Sequence, residues 1–394
     1  MIEGHVNEGF GPLADAFRAG FERREELGAA VAVYAGGRRV VDLWGGIADR
    51  RTGLPWAEKT RAVVFSCTKG LTAMCAYKLV EEGRLDLDAP VVEYWPEFGR
   101  HGKERILVRW LLSHRAGLPV IDRPLSRAEA LAWTPAIEAL EDQPPLWEPG
   151  TAHTYHAKTY GWLVGELIQR IAGVSPGTYF REAIAAPLGL RARIGVPIAE
   201  QGDVARTEPP PAERNGGAPT RTEIEDRAVT LNGAIPFPGV TGDVTYNDPA
   251  LRAAELPASN GISAARDLAR AYAACVSSVD GVRILRRASL DDALREQSSG
   301  PPLFGAPGGT HRWGTGFMLE SPPLCPMLGP RSLGHDGAGG QLAFGDDEYR
   351  VGFAYVNNLM GGPVDERARR LTAALRVCIR GQRCRSHRRA RWRR

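Results

Sequence analysis

The stretch FSCTKGLTAMCAYKLVEEG, from Phe65 to Gly83, decides the fold. Its apolar residues recur near the 3.6-residue spacing of a helix, and a glycine at its end is typical of a helix C-terminus. The spacing therefore predicts a helix that Ser66 opens and that ends at Gly83. Ser66 and Lys69 stand three positions apart, so their side chains share one helix face and can touch.

A hydroxyl and an amine at this spacing can act together chemically. A serine hydroxyl is a poor nucleophile until another group takes its proton, and a lysine can help when burial or a nearby positive charge lowers its pKa. The backbone N–H groups of a helix N-terminus also favour the negative charge that develops on an attacked carbonyl oxygen. The four-residue pattern is weak by itself, because Ser66 could simply cap its helix.

Strands lie towards both ends of the chain, and helices occupy its middle. The predicted strands are residues 29–34, 39–44, 313–319, 341–344 and 350–356. The predicted helices are residues 13–27, 65–82, 108–113, 126–141, 160–172, 264–276 and 364–377. Residues 201–249 are rich in Pro and Gly and are predicted to form a long irregular region.

This order of elements predicts how the chain divides. Residues 1–85 and 256–379 are expected to form one α/β domain around a single sheet, since strands from both ends must pair. Residues 86–255 form a mostly helical insert, and residues 380–394 are a basic tail that we expect to be disordered.

The composition is that of an ordinary globular protein, with 43% hydrophobic and 24% charged residues among 394. No apolar run approaches the about 18 residues that a membrane helix needs. The N-terminus lacks the basic start and apolar segment of a secretory signal. We therefore expect a cytoplasmic protein that does not bind membranes.

Neither the cysteines nor the histidines form a recognisable pattern. The six cysteines lie far apart without a Cys-x-x-Cys pair, which favours free thiols. His153 and His156 are close in sequence, but no acidic or cysteine cluster accompanies them. We expect neither a metal nor a cofactor.

The positive charge of the chain is concentrated at its C-terminus. The formal net charge is +4, and the segment from Arg380 onward holds eight arginines and no acid, so the rest of the chain carries −4. Such a tail can bind nucleic acid, but it is more often a solvated end. We expect no nucleic-acid partner.

Two further segments follow Ser66-Cys67-Thr68-Lys69 along the chain, namely Tyr155-His156-Ala157 and His335-Asp336-Gly337. With these three elements the chain resembles the serine β-lactamase and penicillin-recognising superfamily, in particular class C β-lactamases and the family VIII carboxylesterases. Neighbouring stretches that resemble the esterase branch are LLSHRAGLP (111–119), LWEPGT (146–151) and YGWLVG (160–165). The resemblance runs from about Ala29 to Val377 and implies an antiparallel sheet flanked by helices.

The resemblance also implies roles for individual residues. Ser66 would be the acylated nucleophile and Lys69 its proton-relay partner, while Tyr155 would supply the other half of the base as a phenolate stabilised by nearby cations or donors. The backbone N–H groups of Ser66 and Ala338 would form the oxyanion hole, and Gly337 would let the backbone approach the substrate closely.

Two positions depart from the β-lactamase pattern. Ala157 stands where the Tyr-x-Asn element has Asn, and His335 stands where Lys-Thr-Gly has Lys, so the fixed cation that meets a β-lactam carboxylate is lost or depends on pH. Both changes favour a neutral ester as the substrate. Trp313, on a predicted core strand, is a further candidate for the wall of an acyl-binding pocket.

The segment Gly173-Val174-Ser175-Pro176-Gly177 also matches the G-x-S-x-G pattern of α/β-hydrolases. That pattern requires a strand before the serine, whereas a helix is predicted to end at Gly173. We therefore interpret Ser175 as the N-cap of the next helix, with Pro176 in its first turn.

These residues favour a carboxylesterase that hydrolyses short-chain esters through an acyl-enzyme on Ser66, with a small-molecule ester as its partner. An acyltransferase would use the same residues. A β-lactamase or D-Ala-D-Ala peptidase is a second hypothesis, and a binding or sensor domain that is acylated without turnover is a third. The sequence does not indicate the oligomeric state.

Overall fold

The computed structural model describes residues 1–210, 221–238, 245–305, 310–362 and 365–391, with side chains through residue 382. The strands are β1 (Ile2–Val6), β2 (Gly28–Ala35), β3 (Arg38–Asp49), β4 (Leu54–Pro55), β5 (Ala62–Val63), β6 (Ile262–Ser263), β7 (Arg312–Trp313), β8 (Met318–Leu319), β9 (Ser332–Gly337), β10 (Gln341–Asp346) and β11 (Val351–Asn357). The helices are α1 (Gly11–Glu22), α2 (Thr68–Glu81), α3 (Val108–Leu112), α4 (Arg127–Leu131), α5 (Thr134–Asp142), α6 (Thr159–Ala172), α7 (Pro176–Phe180), α8 (Glu223–Thr230), α9 (Pro249–Ala253), α10 (Ala265–Val276), α11 (Arg287–Ala293) and α12 (Arg367–Arg391).

The main sheet joins the two ends of the chain, as the sequence predicts. Its strand order is β1-β3-β2-β11-β10-β9-β8-β7, with β4 paired to β3, and the neighbouring strands run antiparallel. The N-terminal hairpin pairs with the C-terminal strands through β2 and β11, where Val33 lies opposite Phe353. The predicted fold class, an antiparallel sheet flanked by helices, is confirmed.

The central strands are buried on both faces. In β2, Val31 and Val33 pack into the core under α1 and α12, whereas Ala30 and Ala32 face the core on the other side. Helix α10 lies on this second face, where a side chain at Gly352 would come within 2.2 Å of the Ala269 carbonyl oxygen. The small residues on this face therefore let α10 approach the sheet closely.

Helix α2 lies inside the molecule rather than on its surface. Almost every residue from Thr68 to Leu79 is buried, so the helix has no polar stripe facing solvent. Because the helix is buried, the residues of its first turn are enclosed by other parts of the protein. Lys69, in this first turn, is fully buried. This position sets the environment of the candidate nucleophile.

Several elements differ from the sequence pattern, and the strand predicted over 313–319 is two short paired strands, β7 and β8. The helix predicted over 126–141 is broken between α4 and α5 at Trp133, whose φ is 67° and whose indole Nε1 donates to Glu166 at 2.8 Å. Strand β1 has no apolar alternation and forms by pairing with β3. Helix α12 continues to Arg391, past the predicted end at Val377 and through most of the segment expected to be disordered.

Other sequence-based expectations concern the whole molecule. No helix of the described segments is both long enough and apolar enough to cross a membrane. Cys67, Cys75, Cys275, Cys325 and Cys378 are unpaired and buried, and the side chain of Cys384 lies outside the described residues. The division of the chain at residues 85 and 256 and the cytoplasmic location stay predictions.

Candidate active site

Ser66 lies in a short 3-10 turn, Phe65–Cys67, that leads directly into α2. The sequence predicts that Ser66 opens the helix. The structure instead places Ser66 in a tight turn directly before the helix. Phe65 has a φ of 45°, in the left-handed region that bulky residues rarely adopt. Backbone strain of this kind concentrates at functional sites. Ser66 itself is half-buried, so its hydroxyl remains accessible from one side.

Lys69 and Tyr155 both reach the Ser66 hydroxyl. The Lys69 Nζ atom lies 3.4 Å from Ser66 Oγ, and the Tyr155 hydroxyl donates a hydrogen bond to the same oxygen at 2.9 Å. The Lys69 Nζ also lies 4.7 Å from the centre of the Tyr155 ring. The structure therefore brings together the three residues on which the proposed chemistry depends.

Backbone carbonyls fix the Lys69 amine. It donates to the carbonyl oxygens of Ala157 and Ala258, each at 2.9 Å. Both acceptors are backbone carbonyls, so Lys69 is held without the side chain that the Tyr-x-Asn element has at position 157. Residue 258 carries no sequence signal for this role, since any residue has a carbonyl group.

Aromatic rings hold the Tyr155 phenol in place. The Trp313 ring stacks on it with a centroid distance of 5.4 Å and an interplanar angle of 15°, and His114 meets it edge-on at 5.0 Å. Trp313 was a candidate for the wall of an acyl pocket, and the structure shows it buried against the tyrosine. Its observed contact is one that orients Tyr155.

Burial changes the protonation states of the site in opposite directions. Burial lowers the pKa of Lys69 well below its usual value, and the positive charge of Lys158 lowers it further. Burial raises the pKa of Tyr155 well above its usual value, against the opposing effect of its hydrogen bond to Ser66. The phenolate expected from the sequence is therefore disfavoured, and the free amine of Lys69 is the better base.

The hydrogen bonds around Lys69 agree with a neutral amine. Such a group has two N–H bonds and one lone pair. Lys69 Nζ can donate to the carbonyl oxygens of Ala157 and Ala258 and, at the longer distance of 3.4 Å, to Ser66 Oγ. In a neutral amine the two N–H bonds serve the two closer carbonyl oxygens, and the lone pair is free to accept the Ser66 proton. Tyr155 can then remain a phenol and donate to Ser66 Oγ.

The end of strand β9 forms the opposite side of the site. The Cys67 thiol donates to the His335 carbonyl oxygen at 3.2 Å, which ties β9 to the turn that carries Ser66. A side chain at Gly337 would lie 2.7 Å from the Val64 carbonyl oxygen, so only glycine allows this approach. Ala338 follows directly and is half-buried. The turn and the strand end thus meet where the sequence predicts the oxyanion hole.

His335 is buried and does not provide a fixed cation. Burial lowers its pKa below the usual value, although its hydrogen bond to Asp336 raises it in part. Its Nδ1 lies 2.7 Å from the Asp336 carbonyl oxygen, and its Nε2 has no hydrogen-bond partner among the described residues. The imidazole is therefore neutral at pH 7, where a β-lactamase would present a lysine.

Two residues near the site were missed from the sequence. Lys158 is buried, and its ammonium group donates to the hydroxyl of Tyr246, which is buried as well. The Tyr246 ring packs edge-on against Phe65 at 4.9 Å, directly before the candidate nucleophile. Lys158 directly follows the Tyr155-His156-Ala157 element, and this position is a signal that could have been followed. Tyr246, at the end of the irregular region, carries no such signal.

The second serine motif does not form a site. Ser175 caps α7, with its hydroxyl accepting from the Thr178 N–H, and it donates to Glu255 at 2.7 Å. Helix α6 precedes it and ends at Gly173 in a left-handed conformation. The interpretation of Ser175 as an N-cap is confirmed.

Within the described part of the chain, no group of three or more His, Cys, Asp or Glu side chains is arranged to hold a metal ion.

Comparisons with known proteins place this geometry in context. Residues 13–377 match the Beta-lactamase family model. The Esterase/beta-lactamase LipL of Mycobacterium tuberculosis (strain ATCC 25618 / H37Rv) is 33% identical over 373 residues, which span 92% of this chain and 84% of that protein. A family VIII carboxylesterase of known structure superposes with a TM-score of 0.86 at 34% identity, covering 96% of this chain and 100% of the other. A penicillin-binding protein homologue from Caulobacter crescentus gives 0.85 at 34% identity, with the same coverage of both chains.

Proposed function

Since the chain belongs to the beta-lactamase family, we propose that it is a carboxylesterase that hydrolyses short-chain esters through an acyl-enzyme on Ser66. The resemblance seen in the sequence is confirmed, and the relatives support a serine hydrolase with esterase activity. The observation that carries the finer proposal is the contact of Ser66 Oγ with both Lys69 Nζ and the Tyr155 hydroxyl.

The proposed reaction begins with the neutral amine of Lys69. It takes the proton of the Ser66 hydroxyl while Ser66 Oγ bonds to the ester carbonyl carbon. The oxygen of the tetrahedral intermediate accepts from the backbone N–H groups of Ser66 and Ala338. The bond to the alcohol oxygen then breaks, and the alcohol leaves with a proton that Lys69 returns through the Tyr155 hydroxyl.

Water completes the cycle in the same way. Lys69 and Tyr155 withdraw a proton from a water molecule, whose oxygen bonds to the acyl carbon. The second intermediate collapses, Ser66 Oγ regains its proton and the carboxylic acid leaves. If another alcohol replaces water at this stage, the product is a new ester, and the enzyme acts as an acyltransferase.

Two features of the site support an uncharged substrate. His335 is neutral at pH 7, so it gives no cation for a β-lactam carboxylate. A small apolar cluster also lies beside Tyr155, and its members are Val120, Leu146, Ala157, Ile224, Ala228 and Val229. Apolar surroundings of Tyr155, which contacts the nucleophile, favour an alkyl acyl group over a charged one.

A panel of p-nitrophenyl esters with acyl chains of increasing length tests this proposal. We expect the highest kcat/KM for acyl chains of a few carbons, and hydrolysis of a cephalosporin at a much lower kcat/KM. A short-chain alcohol added to the same assay reports acyl transfer as a new ester. Cephalosporin turnover that exceeds hydrolysis of p-nitrophenyl butyrate would instead support the β-lactamase hypothesis, and a stoichiometric burst without a steady-state rate would support the sensor hypothesis.

The Tyr155→Phe variant should lose about 10²-fold or more in kcat/KM for p-nitrophenyl butyrate. The ring still stacks on Trp313, but the hydroxyl that donates to Ser66 Oγ and passes a proton to the alcohol is absent. Tyr160→Phe is a matched control, because the Tyr160 hydroxyl donates only to the Lys69 carbonyl oxygen at 3.4 Å. An equal loss in both variants would argue against a proton-transfer role for Tyr155.

A further inference from the structure

A buried lysine that pairs with no carboxylate in the described part of the chain lies next to the catalytic machinery. Lys158 is 5% exposed, and its Nζ contacts Tyr246. It also occupies the N-cap position of α6, where the positive end of the helix dipole opposes a cation. Burial and the dipole both make a cation costly at this position. A residue retained at such a cost is a candidate for function.

The contacts of Lys158 link it to the nucleophile by two routes. Its ammonium group donates to the Tyr246 hydroxyl, and the Tyr246 ring packs on Phe65, the residue before Ser66. Tyr246 is itself fixed, because Arg252 Nε donates to its carbonyl oxygen at 2.9 Å. The second route is the main chain, since the residue before Lys158 is Ala157, whose carbonyl oxygen accepts from Lys69.

We propose that Lys158 is a positioning residue for nucleophile activation, a buried ammonium group that Tyr246 fixes, one residue from the carbonyl that holds Lys69, and that acts together with burial to keep the Lys69 amine unprotonated. This inference rests on the proposed function, in which the free amine of Lys69 accepts the Ser66 proton. Two like charges in a poorly solvated space repel each other, so a charged Lys158 disfavours a proton on Lys69. Tyr246 prevents the long Lys158 side chain from turning away.

The other groups that face Lys69 do not replace this effect. The titratable groups that burial keeps uncharged at neutral pH are His114, His156, His335, Tyr155, Tyr160 and Cys67. Asp336 on β9 is the acidic group that acts on Lys69, and it favours a protonated amine. Burial raises the pKa of Asp336, but the hydrogen bond from His335 and the neighbouring basic groups together lower it below its usual value. Burial lowers the pKa of Lys69 most, and the charge of Lys158 adds to that effect and opposes the carboxylate of Asp336.

The test is the pH dependence of Ser66 phosphonylation by a fluorophosphonate, followed by intact mass. The P–F bond breaks, Ser66 Oγ bonds to phosphorus and the serine proton goes to Lys69, so the rate reports the free amine without assuming a physiological ester. The rate falls as the pH drops through the pKa of Lys69. Lys158→Met removes the like charge and raises that pKa. The acidic limb of the pH–rate profile, where the rate falls as the pH drops, should therefore move up by about one pH unit.

Three variants make the result decisive. Lys158→Arg keeps the charge and should keep the limb near its wild-type position. Lys78→Met, near the C-terminal end of α2 where the partly exposed lysine pairs with Glu82, should leave the limb unchanged. Lys158→Met should unfold near the wild-type temperature, because it removes a buried charge that has no ion-pair partner among the described residues but also removes the donor to the Tyr246 hydroxyl.

The possible failures are distinguishable. A limb that stays in place in Lys158→Met while the rate falls equally at every pH would overturn the inference, since that pattern indicates a structural role. An increase in KM for ester hydrolysis without movement of the limb would overturn it as well, since that pattern indicates contact with the substrate. If the wild type is not labelled on Ser66 at any pH, the proposed function fails instead.

Discussion

Replacing Ser66 with alanine is expected to lower kcat/KM for p-nitrophenyl butyrate by at least about 10³-fold. The variant removes the oxygen that becomes acylated, and neither Lys69 nor Tyr155 can take its place, because both are positioned towards that oxygen rather than towards a substrate. The fold should be retained, since Ser66 is half-buried and its side chain packs into neither core. Far-UV circular dichroism and thermal unfolding check this point.

The Ser175→Ala variant is the matched control for this experiment. It changes the other serine that fits a hydrolase motif, but that hydroxyl caps α7 and donates to Glu255. We expect a loss of about 1 kcal/mol in the free energy of unfolding and nearly unchanged activity. If Ser66→Ala keeps more than a tenth of the activity, or if Ser175→Ala abolishes it, the nucleophile has been assigned wrongly.

The sequence predicts those parts of the fold that carry a periodic apolar pattern. Strands β2, β10 and β11 and helices α2, α6 and α10 have such patterns because they pack into the two cores. Strand β1 has none, since three of its five residues are exposed and it is held by pairing with β3. The break at Trp133 was also missed, because it depends on a contact with Glu166 on another helix.

In the candidate site, too, the sequence predicts the residues that have a recognisable pattern and misses those that have none. Short motifs contain Ser66, Lys69, Tyr155 and His335, so these residues can be identified from residue type and order alone. The carbonyl of Ala258 and the left-handed backbone of Phe65 leave no trace in residue type, although one holds the amine and the other precedes the nucleophile.

Protonation is the part of the site that only the structure could address. The sequence-based hypothesis gave Tyr155 a stabilised phenolate, but the burial of the site favours the neutral form of both Tyr155 and Lys69. Burial penalises whichever form of a group is charged, so it raises the pKa of a phenol and lowers that of an amine. Whether a group is enclosed cannot be deduced from its motif alone.

The Lys69→Met variant should also lose at least about 10³-fold in kcat/KM, because no other neutral base contacts Ser66 Oγ among the described residues. Methionine is similar in length and apolar, so it fills the buried space. The carbonyl oxygens of Ala157 and Ala258 lose a donor, which lowers the free energy of unfolding by about 1–3 kcal/mol each. The variant also lacks an amine that must lose a proton on folding, and this change raises the free energy of unfolding. The variant must therefore be compared under conditions in which thermal unfolding shows it to be folded.

The pH profile distinguishes Lys69 from Tyr155 as the base. In the wild type the rate should fall as the pH drops through the lowered pKa of Lys69, since protonation removes the lone pair that accepts the Ser66 proton. The residual rate of Lys69→Met should lack this acidic limb, whereas Lys78→Met should keep both the limb and the rate. A Lys69→Met variant that retains substantial activity, with a rate that rises only at high pH, would show that the Tyr155 phenolate is the base after all.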